Sequence, residues 1–156
     1  MSVAMASKQF TVLLVEDDAR DAGLLARAFT SLGLPGMLQT VAGVDEAIEY
    51  LAGRGSYEDR ESYPLPGLIL INLAMSRRAN FRLLRWLRGQ GVLRRIPIVV
   101  LAAARQPIGY DQAFELGAAS YLVKPVDSDA LQSMIKAVVG YWQLDQRQQD
   151  KPRKRL

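Results

Sequence analysis

Five short apolar runs, separated by stretches of helical spacing, constrain this chain more than any other feature. The runs cover 10–15, 37–41, 68–73, 97–101 and 120–123. Each is too short for a helix and reads as a strand, the first of them buried. Between them, apolar residues recur at intervals of three and four. Ala22, Leu25, Ala26 and Phe29 share one helix face, as do Ala47, Ile48 and Leu51, then Phe81, Leu84 and Leu87. Further helices are expected over 110–116 and through Leu131, Ile135, Val138 and Val139. Asp18 can cap the first helix and Gly33 can stop it, while Asp127 or Ser128 can cap the last. The segment 53–66, rich in Gly, Ser, Tyr, Pro and charge, reads as a long surface loop.

Alternating strands and helices predict an α/β fold, a parallel sheet covered on both faces. Five strands and about five helices suit the single flavodoxin-like, doubly wound sheet of order 2-1-3-4-5. Sites in such sheets form at the C-terminal ends of the strands. Glu16, Asp17, Asn72, Ala102 and Lys124 are expected to converge there.

With 156 residues, 49% of them hydrophobic, the chain suits one domain with one buried core. An N-terminal extension over 1–9, a domain over 10–142 and a polar, basic extension over 143–156 are the expected divisions. There is no cysteine and no histidine. That removes disulfides, thiolate chemistry, histidine general bases and His-rich zinc sites. No apolar run reaches the ~20 residues of a membrane helix. Residues 1–9 lack the pattern of a signal peptide, so a cytoplasmic protein with no membrane partner is expected.

The ends of three strands carry a more specific pattern. The first runs into Glu16-Asp17-Asp18, the third ends at Asn72, and the fifth runs into Lys124-Pro125. Thirty positions after Asn72 stands Ala102, and twenty-two further stands Lys124, with Gly117-Ala118 beginning seven before it. These acids, this lysine and these intervals resemble the response-regulator receiver domain of two-component signalling, over about Phe10 to Trp142. The Leu-Leu-Val-Glu-Asp run, the Tyr-rich loop before the third strand and the Gly140-Tyr141-Trp142 ending resemble single-domain regulators paired with phytochromes.

The resemblance implies a role for each position. Glu16 and Asp17 match an acidic pair that holds Mg²⁺ with the acceptor. Position 72 matches the aspartate that accepts a phosphoryl group, Ala102 a hydroxyl residue, Tyr121 the switch aromatic, and Lys124 the lysine on the phosphoryl oxygen. Lys124-Pro125 resembles the family's cis-proline turn. The departures follow from chemistry. A carboxylate forms an acyl phosphate, whereas the Asn72 amide is a poor nucleophile. The amide removes one negative charge, so no cofactor beyond weakly held Mg²⁺ is expected. Ala102 has no side-chain oxygen. Ser76 and Asn80 replace the family's proline and glycine. With no phosphoryl group to hold, Lys124 is expected to neutralise Glu16 and Asp17, and Tyr121 to be a packed strand tyrosine.

These losses point to a response regulator that is not an enzyme and works without aspartyl phosphorylation. It would dock on a histidine kinase, a phytochrome-like sensor or another receiver. The alternative is a phosphorylatable switch, in which Asn72 is an engineered change or Asp17 or Asp18 accepts instead. Arg78, Arg82, Arg85 and Arg88 recur at intervals of four, three and three within a segment that holds only basic charges from Arg77 to Arg95. They form either a solvated helix face or a stripe for an acidic partner. Nucleic-acid binding through this stripe and the basic tail is the weakest option, because no recognition module is visible. Tyr110, Phe114, Tyr141 and Trp142 fall on the helices that make the usual receiver dimer face, so a homodimer is a further expectation.

Overall fold

The computed structural model describes residues 10–34, 37–72, 77–102 and 107–149, with only the backbone for 77–80, 107–110 and 149. The elements run β1 (Val12–Val15), α1 (Ala19–Ser31), β2 (Leu38–Val41), α2 (Val44–Ala52), β3 (Leu68–Asn72), α3 (Arg77–Arg88), β4 (Ile98–Ala102), α4 (Pro107–Glu115), β5 (Ser120–Val123) and α5 (Ser128–Gln149). All five strands are parallel, in the order β2-β1-β3-β4-β5. This is the flavodoxin-like architecture read from the alternation of patterns.

β1, β3 and β4 are buried along their whole length. Their continuous apolar runs therefore face helices on both sides. Leu13, Val15, Ile69, Ile71 and Val100 pack under α2, α3 and α4. Val12, Leu14, Leu68, Leu70, Val99 and Leu101 pack under α1 and α5. One strand thus feeds two cores by period-two alternation.

Capping chemistry sets the helix ends nearest the site. The Asp18 carboxylate accepts from the backbone N–H groups of Arg20 and Asp21 and starts α1 directly after β1. Gly33 adopts φ +74° just beyond α1, a conformation that suits glycine. Asp127 accepts from the Ala130 N–H and starts α5. α3 begins at Arg77, ahead of the apolar stripe that opens at Phe81, and also buries Leu83. α5 continues unbroken past Trp142 to Gln149. Close approach of α5 to the start of β3 requires Gly67. A Cβ there would lie 2.5 Å from both Gln146 and Phe10.

The segment between α2 and β3 is more than a surface loop. It holds a 3₁₀ turn at Gly55–Tyr57 and folds three tyrosine rings, Tyr50, Tyr57 and Tyr63, into mutual contact at 4.9–5.9 Å. The Tyr50 hydroxyl donates to the Pro64 carbonyl, and the Tyr57 hydroxyl donates to the Glu46 carboxylate. The Arg60 guanidinium donates to the carbonyls of Tyr50, Leu51 and Tyr63. Rings and guanidinium together hold this long connection against α2. No helix among the described residues is long and apolar enough to cross a membrane.

Candidate functional site

Strand register brings the expected site residues to one end of the sheet. Val15 pairs with Ile71, so Glu16 emerges beside Asn72, the last residue of β3. Asn72 pairs with Leu101, which places Ala102 one step further along β4. Ala102 pairs with Val123, and the Lys124 N–H donates to the Ala102 carbonyl at 2.7 Å. The Glu16 N–H donates to the Val41 carbonyl and ties β1 to the end of β2.

Glu16 and Asn72 are the two polar side chains most deeply enclosed here, 3% and 0% exposed. Glu16 Oε1 accepts from the Asp18 N–H at 3.0 Å. Burial raises the Glu16 carboxyl above the ordinary carboxylate range, and the charge on Asp21 adds to that rise. The Asp18 N–H, the Asn72 side-chain hydrogen bond and the Lys124 charge all pull the other way. Asn72 thus meets the neighbouring carboxylate as a neutral hydrogen-bonding partner, where an aspartate would meet it as a second charge.

Lys124 pairs with an acid other than the expected two. Its Nζ lies 3.6 Å from Oδ2 of Asp21, one turn into α1, in a partly buried ion pair. Sequence reading passed over Asp21. Its signal was its place three residues after the cap Asp18, which turns it back toward the strand ends. Lys124-Pro125 is a trans bond, because no cis peptide occurs among the described residues; the implied cis-proline turn is corrected. Tyr121 is buried in the core on the α2–α3–α4 side of the sheet. Ser76 lies outside the described residues, as does the side chain of Asn80.

These residues do not fit a tight divalent-cation site. Glu16 is buried, already accepts hydrogen bonds and has a raised pKa, whereas Asp17 is exposed and Asn72 is uncharged. Mg²⁺ favours several anionic oxygens in near-octahedral array. Among the described residues, no group of three or more carboxylates is placed to supply one.

The expected partner surface divides into unlike parts. Arg82 pairs with Asp45 of α2 at 2.7 Å, and Arg88 donates to the Glu115 carbonyl at the end of α4 at 2.6 Å. Two members of the arginine row therefore tie α3 to its neighbours. Arg85 is exposed, and the side chain of Arg78 lies outside the described residues. Phe114 and Tyr141 are exposed, whereas Trp142 is half-buried against the α1–α5 core with its ring edge-on to Tyr141. The side chain of Tyr110 is likewise not among those described.

Comparison with known proteins agrees with this geometry. The family described as the response regulator receiver domain matches residues 12–136. The probable methanogenesis regulatory protein FilR2 of Methanothrix harundinacea is 29% identical, over 90% of this chain and 88% of its own length. The crystal structure of response regulator RPA3017, in red light signaling of R. palustris, superposes with a TM-score of 0.78 at 25% identity, over 85% of this chain and 93% of that one. The phosphorylated cyanobacterial phytochrome response regulator RcpA superposes with a TM-score of 0.75 at 26% identity, over 86% and 94%.

Proposed function

Because the chain belongs to the response regulator receiver family of two-component signalling and is related to phytochrome response regulators, we propose that it is an atypical member that signals by docking, without aspartyl phosphorylation. The observation that carries this reading is the Asn72–Glu16 contact at the closed end of β3. The amide lacks the anionic oxygen that attacks phosphorus. Two further features support it. Ala102 offers no hydroxyl to a phosphoryl group, and Lys124 is engaged by Asp21. The groups that would accept the phosphoryl group and hydrogen-bond it are replaced and the lysine that would hold it is occupied, whereas Tyr121 and the acidic pair Glu16 and Asp17 are retained.

The partner on this reading is a histidine kinase or phytochrome-like sensor, or another receiver for which this chain competes. The receiver unit would span 10–142, with 143–156 as an extension whose first seven residues continue α5. Receiver domains generally relay signals and are not enzymes themselves. Any Mg²⁺ would be held weakly, through Glu16 and Asp17.

A second reading is favoured by one observation. Asp17 is an exposed carboxylate next to the pocket and is chemically able to accept a phosphoryl group. Acetyl phosphate with Mg²⁺, followed by intact-mass measurement, separates the two. The proposal expects no phosphoryl adduct on the natural chain. An adduct that maps to Asp17 or Asp18 would replace it with a working phosphorelay switch. The Asn72→Asp variant serves as the chemical control, since it restores an acceptor.

A further inference from the structure

We propose that the cleft at the opposite end of the sheet from Asn72 is a binding site for a small organic anion with an apolar body. The cleft measures about 1110 Å³ and is formed where the chain enters β3, β4 and β5, with the last turns of α5 as its far wall. Its volume lies just above the usual range for ligand pockets, and its walls converge from four separate segments.

The lining supplies both halves of such a ligand's chemistry. Leu65 and Val92 stand at the rim 45% and 74% exposed, so two large apolar side chains face water there. Covering them with an apolar body removes that surface from solvent. Trp142 adds an aromatic wall to the same cleft.

Charge selects the rest of the ligand. Arg60, Arg82 and Arg88 all spend their guanidinium groups on carbonyls or a carboxylate. Arg94 and Arg95 are exposed on the turn before β4, line the cleft, and make no side-chain hydrogen bond or ion pair among the described residues. Two adjacent guanidinium forks suit a carboxylate or phosphate group. Glu61 and Asp145 also line the cleft. They oppose a polyanion and leave room for a single acidic group. In the α5 wall, Gln146 Oε1 is buried without a hydrogen-bond partner.

The test uses the full chain, isotope-labelled, with three probes followed by backbone and indole N–H shifts. 1-Naphthaleneacetate supplies ring and charge, 1-naphthaleneacetamide the ring alone, and inorganic phosphate the charge alone. The acid is expected to give saturable shifts at Gly67, Ala119 and the Trp142 indole. The amide should bind about tenfold more weakly, and phosphate should give no saturable shift. The double variant Arg94→Gln/Arg95→Gln changes only exposed side chains and should abolish the difference between acid and amide. Failure of the acid to saturate by about 10 mM, equal binding of acid and amide, shifts centred elsewhere, or an unaffected double variant would each overturn the proposal.

Discussion

The pocket at the strand ends and the tyrosine–arginine knot after α2 both hold polar groups away from water, and they do so on opposite terms. In the knot, the Tyr50 and Tyr57 hydroxyls and the Arg60 guanidinium each meet an acceptor within the protein. Burial lifts both tyrosines to about 12, and the Glu46 hydrogen bond contributes to the rise at Tyr57. Both stay neutral at any ordinary pH, so the knot is a permanent cross-link. In the pocket, Glu16 is a carboxyl whose burial disfavours its charged form and raises its pKa. Buried groups held against their own solvation are the ones to examine for function.

Removing the knot's guanidinium should give the largest effect. Arg60→Ala removes the guanidinium hydrogen bonds to the Tyr50, Leu51 and Tyr63 carbonyls and should cost about 2–3 kcal/mol in urea unfolding, the scale of lost charged hydrogen bonds. A loss below about 0.5 kcal/mol would erase the contrast between the two regions.

The next effect is expected in the pocket. Asn72→Asp places a second charge beside Glu16 and should lower stability at neutral pH by on the order of 1 kcal/mol without added metal. Mg²⁺ should recover part of that loss. If Asn72→Asp were neutral in metal-free buffer, Glu16 and position 72 would not be electrostatically coupled.

The pH profile sharpens the same comparison. The folded-state pKa of Glu16 is raised, so the native state holds this proton more tightly than the unfolded chain does. Its contribution to stability is therefore present below the ordinary value of 4.5 and is lost as pH climbs through the raised value. Glu16→Gln should flatten that fall. The knot's contribution holds until pH 10 and falls between 10 and about 12 as the unfolded tyrosines ionise first. Acid and alkaline titrations monitored by circular dichroism read both windows. An unchanged acid limb in Glu16→Gln would show that Glu16 is not strained.

The smallest effect belongs to the surface. Arg82 and Asp45 pair at 2.7 Å, but their side chains are 53% and 88% exposed. Arg82→Ala should cost no more than about 0.5 kcal/mol, and a double-mutant cycle with Asp45→Ala should return a coupling of the same size. A coupling well above that would make the α2–α3 contact a structural anchor comparable to the knot.

The sequence carried the sheet plainly because its apolar runs and helical stripes depend only on local periodicity. The caps at Asp18 and Asp127 were legible for the same reason, since an N-cap is a contact between near neighbours. Convergence of Glu16, Asn72, Ala102 and Lys124 followed from the parallel topology. What escaped were contacts that depend on tertiary direction. The Lys124–Asp21 pair joins β5 to α1, and although the place of Asp21 in the first turn was legible, no interval in the sequence names its partner. Arg60 was hidden in a segment whose Gly, Ser and charge read as solvated loop, although three backbone carbonyls recruit it inward. Arg82 and Arg88 looked like a free basic row because spacing shows which residues share a helix face, not what lies opposite.

Titrating Mg²⁺ and beryllofluoride into the isotope-labelled chain asks whether the pocket is silent toward phosphoryl chemistry. A silent pocket gives no saturable beryllofluoride-dependent amide shifts at Glu16, Asp17, Asn72, Ala102 or Lys124. Saturable shifts that begin at those residues and spread to Tyr121 would contradict it and show that the phosphoryl switch still operates.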